Sequence, residues 1–127
     1  MAGNIIERPS NTPQLFAIDR KMAASDGLFF VWEAEGVRGT IMAGYDGHRG
    51  WLYSLAVAED WQNRGIGSAL VKHAETALRE CGCVKINLQI LAGNDGVVEF
   101  YRKLGFVTEE RISMGRHLAP KPTETRQ

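Results

Sequence analysis

The sequence that decides the fold of this chain is Gln62-Asn63-Arg64-Gly65-Ile66-Gly67-Ser68. It follows an apolar run, Trp51 to Val57, that predicts a strand, and it opens an apolar-periodic run, Ser68 to Cys81, that predicts a helix. A glycine-bearing turn between a strand and a helix leaves several main-chain N–H groups without intrahelical acceptors. These groups and the helix dipole favour a phosphate or pyrophosphate. We therefore expect a phosphate-binding loop here.

The composition is typical of one globular domain. The chain has 127 residues, of which 44% are hydrophobic and 24% are charged, which is enough for a single core. We expect one domain over residues 1–118 and a disordered tail over residues 119–127, where two prolines and no large apolar residue occur. The formal net charge is +0, so we expect neither nucleic acid nor an anionic membrane surface as a partner.

The two cysteines, Cys81 and Cys83, are separated only by Gly82. This spacing matches neither a zinc site nor a redox CxxC pair. We expect free thiols in a reducing cytoplasm and no metal.

Hydrophobic periodicity predicts an antiparallel meander followed by a βαβ-like unit, and hence an α+β domain with a mixed sheet. Turn signals stand at Glu35-Gly36 and Asp46-Gly47. Helices are expected near Pro13–Ala24, at Ser68–Cys81 and from Asn94 to near Leu104; strands are expected at Leu28–Ala34, Val37–Tyr45, Trp51–Val57, Val84–Leu91 and within Phe106–Leu118.

Two better-known phosphate loops do not fit these residues. A Walker loop needs Gly-x-x-x-x-Gly-Lys-Ser/Thr, and the chain contains no such string. A dinucleotide fingerprint needs a third glycine where Leu70 stands and an acid about 20 residues further on, near Asn87. The loop also follows three predicted antiparallel strands, whereas the fingerprint normally opens its fold.

Residues 62–67 and the segment Asn94 to Phe106 resemble two motifs of the GNAT superfamily of acetyl-CoA-dependent N-acetyltransferases. The order Gln-x-x-Gly-x-Gly in residues 62–67 resembles its pyrophosphate loop. Residues Asn94 to Phe106 resemble its other motif, an Asn-capped helix ending in Tyr-x-x-x-Gly-Phe. The sequence from Gly44 to Gly50 resembles the sequence found in one bacterial branch of the family. The resemblance implies a GNAT-like fold, with splayed central strands and helices on both faces of the sheet.

The resemblance also implies how acetyl-CoA is held. Main-chain amides from Arg64 to Ser68 would bind the pyrophosphate, and the backbone of residues 55–57 would pair with the pantetheine arm and polarise the acetyl carbonyl. The sequence of residues 55–57 is also compatible with an ordinary core strand that binds no ligand. The expected cofactor-binding residues are Leu55, Ala56, Val57, Gln62, Asn63, Arg64, Gly65, Ile66, Gly67, Ser68 and Asn94.

Tyr101 is the expected catalytic residue. It lies about two helical turns from Asn94, so both share a helix face. It matches the tyrosine that protonates the departing thiolate in the family, and the alternative is a half-buried core aromatic. Some relatives use a glutamate as base where this chain has Gln89. We assign no base; the remaining candidates are Glu33, Asp46 and His48.

The segment before Leu28 is shorter than the family pattern by about 15 to 20 residues, judged against ordinary element lengths. Asn4 to Arg8 is either a short strand or a tail, so the N-terminal strand is either present or missing. A homodimer would cover a sheet edge left exposed by a missing strand.

Three functions remain open from the sequence. The first is an N-acetyltransferase that moves an acetyl group from acetyl-CoA to a primary amine by direct transfer in a ternary complex. The acceptor would be a protein N-terminus, a lysine or a small amine. The second is an acyl-CoA-binding sensor without turnover, and the third is a structural domain whose loop binds nothing.

Overall fold

The computed structural model of the chain describes residues 4–7 and 28–119. These residues form a five-stranded sheet in the order β1-β2-β3-β4-β5. β1 to β4 pair antiparallel and β5 pairs parallel to β4, so the predicted mixed sheet is confirmed. The strands are β1 (Asn4–Glu7), β2 (Phe29–Glu33), β3 (Val37–Tyr45), β4 (Gly50–Val57) and β5 (Ile86–Asn87).

Both tight turns of the meander form where the sequence predicts them. Residues 34–36 connect β2 to β3, and Glu35 and Gly36 adopt positive φ angles of 57° and 105° in this tight turn. In the next turn, Asp46 Oδ1 accepts hydrogen bonds from the main-chain N–H groups of His48 at 2.8 Å and Arg49 at 2.7 Å. These short connections keep β2, β3 and β4 adjacent.

The crossover from β4 to β5 contains a single 3₁₀ turn, Glu59–Trp61, and helix α1 (Ile66–Glu80). α1 begins two residues before the predicted start. The reason is Gly65, which adopts φ 84° and whose carbonyl accepts a hydrogen bond from the Ala69 N–H at 3.0 Å. Gly82, with φ 96°, follows the end of the helix as expected.

α1 packs one apolar stripe against the sheet. The stripe meets β3 at Gly39, where an added Cβ would lie 3.0 Å from side-chain atoms of both Ile66 and Leu70. The missing side chain therefore lets the first turn of α1 lie close to β3, which fixes the preceding loop beside the end of β4. The buried residues of the stripe are Ile66, Leu70, Val71, Ala74 and Leu78.

The question of the N-terminal strand is resolved by β1. Asn4–Glu7 pairs antiparallel with β2, so an edge strand precedes the meander and the option of a missing strand is wrong. The predicted helix Pro13–Ala24 and most of the predicted tail, residues 120–127, lie outside the described residues.

Two strand predictions after α1 need correction. The expected strand Val84–Leu91 is reduced to Ile86–Asn87, because β5 pairs only with the first two residues of β4 and then leaves it. No strand occurs in the described part of Phe106–Leu118. Its apolar residues Ile112 and Met114 are exposed, at 91% and 90%.

The described residues fall into two compact units, one up to Asn94 and one from Asp95 onward. The second unit contains helix α2 (Asp95–Lys103), which ends before Gly105 with φ 100°. The single domain over residues 1–118 therefore stays a prediction. None of the helices in the described residues is both long and apolar enough to span a bilayer.

Candidate active site

Among residues 28–94, no strand pairs with the carboxyl half of β4 on the side that faces β5. The parallel ladder joins Gly50 to Ile86 and Trp51 to Asn87 and stops there. The rest of β4, up to Val57, remains paired with β3. β4 and β5 therefore part after two residues, which is the splay that the family resemblance implies and that hydrophobic alternation cannot reveal.

The β3–β4 ladder determines which main-chain groups face the opening. Ala58 donates its N–H to the Arg38 carbonyl at 2.7 Å, so this pair is a hydrogen-bonded one. Because bonded and non-bonded pairs alternate in antiparallel strands, Ala56 points its N–H and C=O toward β3. Leu55 and Val57 point theirs away from β3 and into the opening.

At the start of α1, the main-chain N–H groups of residues 65–68 have no acceptor within the helix. Gly65 is the N-cap residue and has no side chain to cap the helix. The first helical hydrogen bond is made by Ala69, so the N–H groups of residues 65–68 precede the helical ladder. Within residues 28–94, no main-chain carbonyl accepts a hydrogen bond from them. Gly65 is exposed and Ser68 half-buried, so these donors suit the oxygens of a diphosphate.

The loop before α1 is held by its own side chains. Gln62 Nε2 donates to the Val57 carbonyl at 3.1 Å, and Arg64 Nη2 donates to the Asp60 carbonyl at 3.1 Å. Asn63 is exposed and adopts φ 63°, the left-handed region that asparagine tolerates. Gln62 and Arg64 were expected beside the pyrophosphate, and each also bonds the protein main chain.

Trp61 connects this loop to β3. The guanidinium carbon of Arg64 lies 4.5 Å from the centroid of the Trp61 ring, and that of Arg38 lies 4.8 Å from it. Arg38, which lies 23 positions before Trp61, was not predicted from the sequence as a neighbour of this loop. The register of β3 and β4 would have revealed it, since Arg38 lies opposite Ala58 at the end of the ladder.

Tyr101, the expected acid, is buried in the second unit with 8% of its surface exposed. Its ring makes edge contacts with Phe100 at 4.9 Å and Phe106 at 5.4 Å between centroids. Burial raises the pKa of the Tyr101 phenol above its ordinary value of 10.0, so the group is protonated at neutral pH. Asn94, in the first unit, is exposed and donates its N–H to the Leu91 carbonyl at 3.1 Å.

Among the candidate bases, Asp46 is the poorest. Hydrogen bonds from the main-chain N–H groups of Arg49 and His48 hold the pKa of its carboxyl below the usual 3.8. A carboxylate with a lowered pKa accepts a proton weakly. Glu33 ends β2, and His48 is exposed in the turn. The base therefore stays unassigned.

The cysteines lie at the far end of α1 from the loop. Cys81 is exposed and Cys83 is buried, and both are free thiols. The 15 residues of α1 separate them from Gly65, a distance of about 20 Å at 1.5 Å per residue. Within the described residues, no three His, Cys, Asp or Glu side chains gather as a metal site would need.

The sequence matches the acetyltransferase (GNAT) family over residues 5–106. An acetyltransferase of Yersinia pestis is 40% identical over 112 residues, which are 87% of this chain and 79% of the relative. An acetyltransferase of Pectobacterium atrosepticum is 42% identical over the same shares of the two chains.

Solved structures share the fold. Ard1 from Thermoplasma volcanium superposes with a TM-score of 0.75 at 26% identity and covers 84% of each chain. The PaiA N-acetyltransferase from Thermoplasma acidophilum, solved with coenzyme A, gives 0.76 at 17% identity over 88% of this chain and 94% of that one. AAC(6')-Iy, solved with a bisubstrate analogue, gives 0.76 at 18% identity over 94% and 100%. Sequence and fold agree, and this chain belongs to the GNAT family of acetyltransferases.

Proposed function

We propose that this acetyltransferase transfers the acetyl group of acetyl-CoA directly to a primary amine while both substrates are bound. The observation that carries the proposal is the joint exposure of two sets of main-chain donors. One set is the open edge of β4 at Leu55 and Val57. The other is the start of α1 at residues 65–68. A thioester with a diphosphate at one end of a long amide-containing arm matches both sets.

The diphosphate would bind at the start of α1. The N–H donors that precede the helical ladder and the positive end of the helix dipole attract an anion there, and Arg64 adds a cation beside them. The amides of the pantetheine arm would then pair with the outward main chain of Leu55, in the manner of an added strand. Gln62 already bonds the Val57 carbonyl, so we expect the arm to leave β4 at that residue.

The chemical step needs a polarised carbonyl, a neutral amine and a proton for the leaving thiolate. An N–H of the open β4 edge would donate to the acetyl oxygen, where negative charge develops as the amine attacks the carbonyl carbon. The C–S bond then breaks, and Tyr101 would protonate the thiolate. The raised pKa of Tyr101 keeps its proton available at neutral pH. The amine would lose its proton to solvent or to a basic side chain.

The acceptor class rests on relatives. AAC(6')-Iy was solved with CoA-S-monomethyl-acetylneamine, which joins a CoA to an amine-bearing molecule. We extend only the shared chemistry, a primary amine, to this chain. The candidates remain a protein N-terminus, a lysine and a small amine. We expect the protein to act in the cytoplasm.

An acyl-CoA sensor without turnover is the second candidate. It is favoured by one observation, which is that the position of the family glutamate is Gln89, a side chain that cannot accept a proton usefully. Such a protein would bind CoA species through the same donors and release no thiol.

Two measurements test the proposal. Thermal melting with acetyl-CoA, CoA and NAD is the first, because a ligand that binds only the native state raises the Tm. We expect a rise with the two CoA species and none with NAD. Release of free thiol from acetyl-CoA with a panel of amines is the second. Binding without thiol release on any amine favours the sensor, and no shift with saturating acetyl-CoA contradicts both functions.

A further inference from the structure

Two arginines from different parts of the chain share one aromatic ring beside the loop. Arg38 belongs to β3 and Arg64 to the loop before α1, and their guanidinium carbons lie 4.8 and 4.5 Å from the Trp61 ring centroid. Within residues 28–94, neither guanidinium forms an ion pair with a carboxylate. Two like charges are therefore gathered at one place, and no carboxylate in that part of the protein lies within ion-pairing distance of either.

The protein main chain orients both guanidinium groups. Arg38 Nε donates to the Ala34 carbonyl at 2.8 Å, and its Nη2 donates to the Glu35 carbonyl. Arg64 Nη2 donates to the Asp60 carbonyl at 3.1 Å. These bonds leave Nη1 of Arg38 and both Nε and Nη1 of Arg64 for another acceptor. A guanidinium held on an aromatic face by main-chain bonds loses little entropy when it binds an anion.

We propose that Arg38 and Arg64, held on Trp61, bind the 3′-phosphate on the ribose of coenzyme A. This inference rests on the proposed function, since it concerns the same ligand. Arg64 directly precedes Gly65, so the cations lie next to the donors assigned to the diphosphate. In coenzyme A the 3′-phosphate and the diphosphate are attached to the same ribose, so these two anionic groups are also neighbours in the ligand.

The charge balance fits a phosphate monoester. Such a group carries close to two negative charges at neutral pH, because its second pKa is about 6. Two guanidinium groups match that charge, and each can contact phosphate oxygens through more than one N–H. Trp61 acts as a positioning residue, because it contacts the arginines and not the ligand.

The test compares CoA with 3′-dephospho-CoA by titration calorimetry on the full chain. The wild-type protein should bind CoA about tenfold more tightly than 3′-dephospho-CoA, because the second ligand lacks the phosphate that accepts charge-assisted hydrogen bonds. The quantity compared below is this affinity ratio, the Kd for 3′-dephospho-CoA divided by the Kd for CoA. Arg38→Gln and Arg64→Gln should each reduce this ratio, and the double variant should bring it close to one. Added salt should narrow the wild-type ratio, because exposed charges are screened.

Arg79→Gln is the matched control. It removes one positive charge from an exposed position in the last turn of α1, about 20 Å from the loop by the helical rise, and should leave the ratio unchanged. If Arg38→Gln fails to fold, Arg64→Gln carries the test, since Arg64 is exposed.

A wild-type ratio near one, or a ratio that persists in the double variant, overturns this inference while the proposed function stands. Absence of binding by both ligands instead contradicts the proposed function itself. Trp61→Phe should keep most of the ratio and Trp61→Leu should lower it; equal ratios in both would remove the role of the ring.

Discussion

The strand–loop–helix region from β4 to α1 and the α2 region expose their chemistry in different ways. The first offers main-chain groups, at Leu55, Val57 and residues 65–68, whose directions are set by the ladder and by the glycine at the helix start. The second offers one buried side chain, the Tyr101 phenol. Main-chain groups tolerate many side-chain changes but no change of backbone conformation, whereas a side-chain site depends on one residue type.

The two regions also differ in how they are anchored. α1 is fixed by fully buried residues such as Leu70, at 0% exposure, whereas the segment after α2 displays Ile112 at 91%. We therefore expect substitutions at the buried residues of α1 to cost more stability than substitutions at exposed residues such as Ile112.

The largest effect is expected from Leu70→Ala. It removes a fully buried side chain of α1 that packs near Gly39, and should lower the free energy of unfolding by about 2–5 kcal/mol. Urea denaturation measures it. Ile112→Ala is the control and should change that free energy by less than about 0.5 kcal/mol. Equal losses in the two variants would mean that the second region is as firmly packed as the first.

The second-largest effect is expected from Gly65→Val. The position has φ 84°, which a β-branched residue avoids, so the start of α1 must shift and CoA should bind about tenfold to a hundredfold more weakly. Gly47→Val is the control, since Gly47 has φ 93° and equally open space in the β3–β4 turn. Both variants should lose stability, and titration calorimetry should find weak binding only in the first. Full affinity in Gly65→Val contradicts the diphosphate site.

Tyr101→Phe should lower kcat by about a hundredfold and leave the Kd for CoA within about twofold, because an acid acts in the reaction and not in ground-state binding. Tyr53→Phe, at an exposed tyrosine of β4, is the control and should keep kcat. An equal loss of kcat and affinity in Tyr101→Phe would make Tyr101 a packing residue.

The pH dependence of stability and of kcat is a second test of the role of Tyr101. Burial raises the pKa of the phenol in the folded protein, so the folded state binds this proton more tightly than the unfolded state does. The resulting stability is complete below pH 10.0 and is lost as the pH rises through the folded pKa. We accordingly expect no loss of kcat from ionisation of Tyr101 below about pH 10. A loss near pH 8 that disappears in Tyr101→Phe would contradict this assignment.

The smallest effect is expected from replacing both thiols. Cys81→Ala with Cys83→Ala should keep kcat within about twofold, because direct transfer needs no acetyl-cysteine and the thiols are about 20 Å from the loop. Cys83 is buried against Gly50, so some stability will be lost. Initial rates, corrected for the folded fraction, measure the effect. A loss of turnover in folded protein would favour a covalent route, if mass spectrometry of the wild type with acetyl-CoA also finds an increase of about 42 Da, the mass added by one acetyl group.

The sequence predicts those parts of the fold whose signal is local. β3 has the bounds that alternation predicts, Val37–Tyr45, because a hairpin turn limits it on each side. The glycines after α1 and α2 end those helices as expected. These features depend on backbone conformations that neighbouring residues determine.

Features that depend on distant partners were not predicted. The short β5 depends on where that strand leaves β4, and an alternating pattern does not contain this information. The contact of Arg38 with Trp61 joins positions 23 residues apart. Of the expected site, the loop and the β4 edge lie together in one unit, whereas the part played by Tyr101 stays a prediction.

The parting of β4 from β5 has a cost for the protein without its ligand. After Trp51, β4 is no longer paired with β5, so it has an unpaired edge like that of an edge strand. Outward main-chain groups, such as those of Leu55, can form hydrogen bonds with a strand of another molecule. The Gln62 bond to the Val57 carbonyl closes one of these positions. Bound CoA would shield the others, so purified protein should self-associate more readily after its removal, and storage with CoA should suppress aggregation.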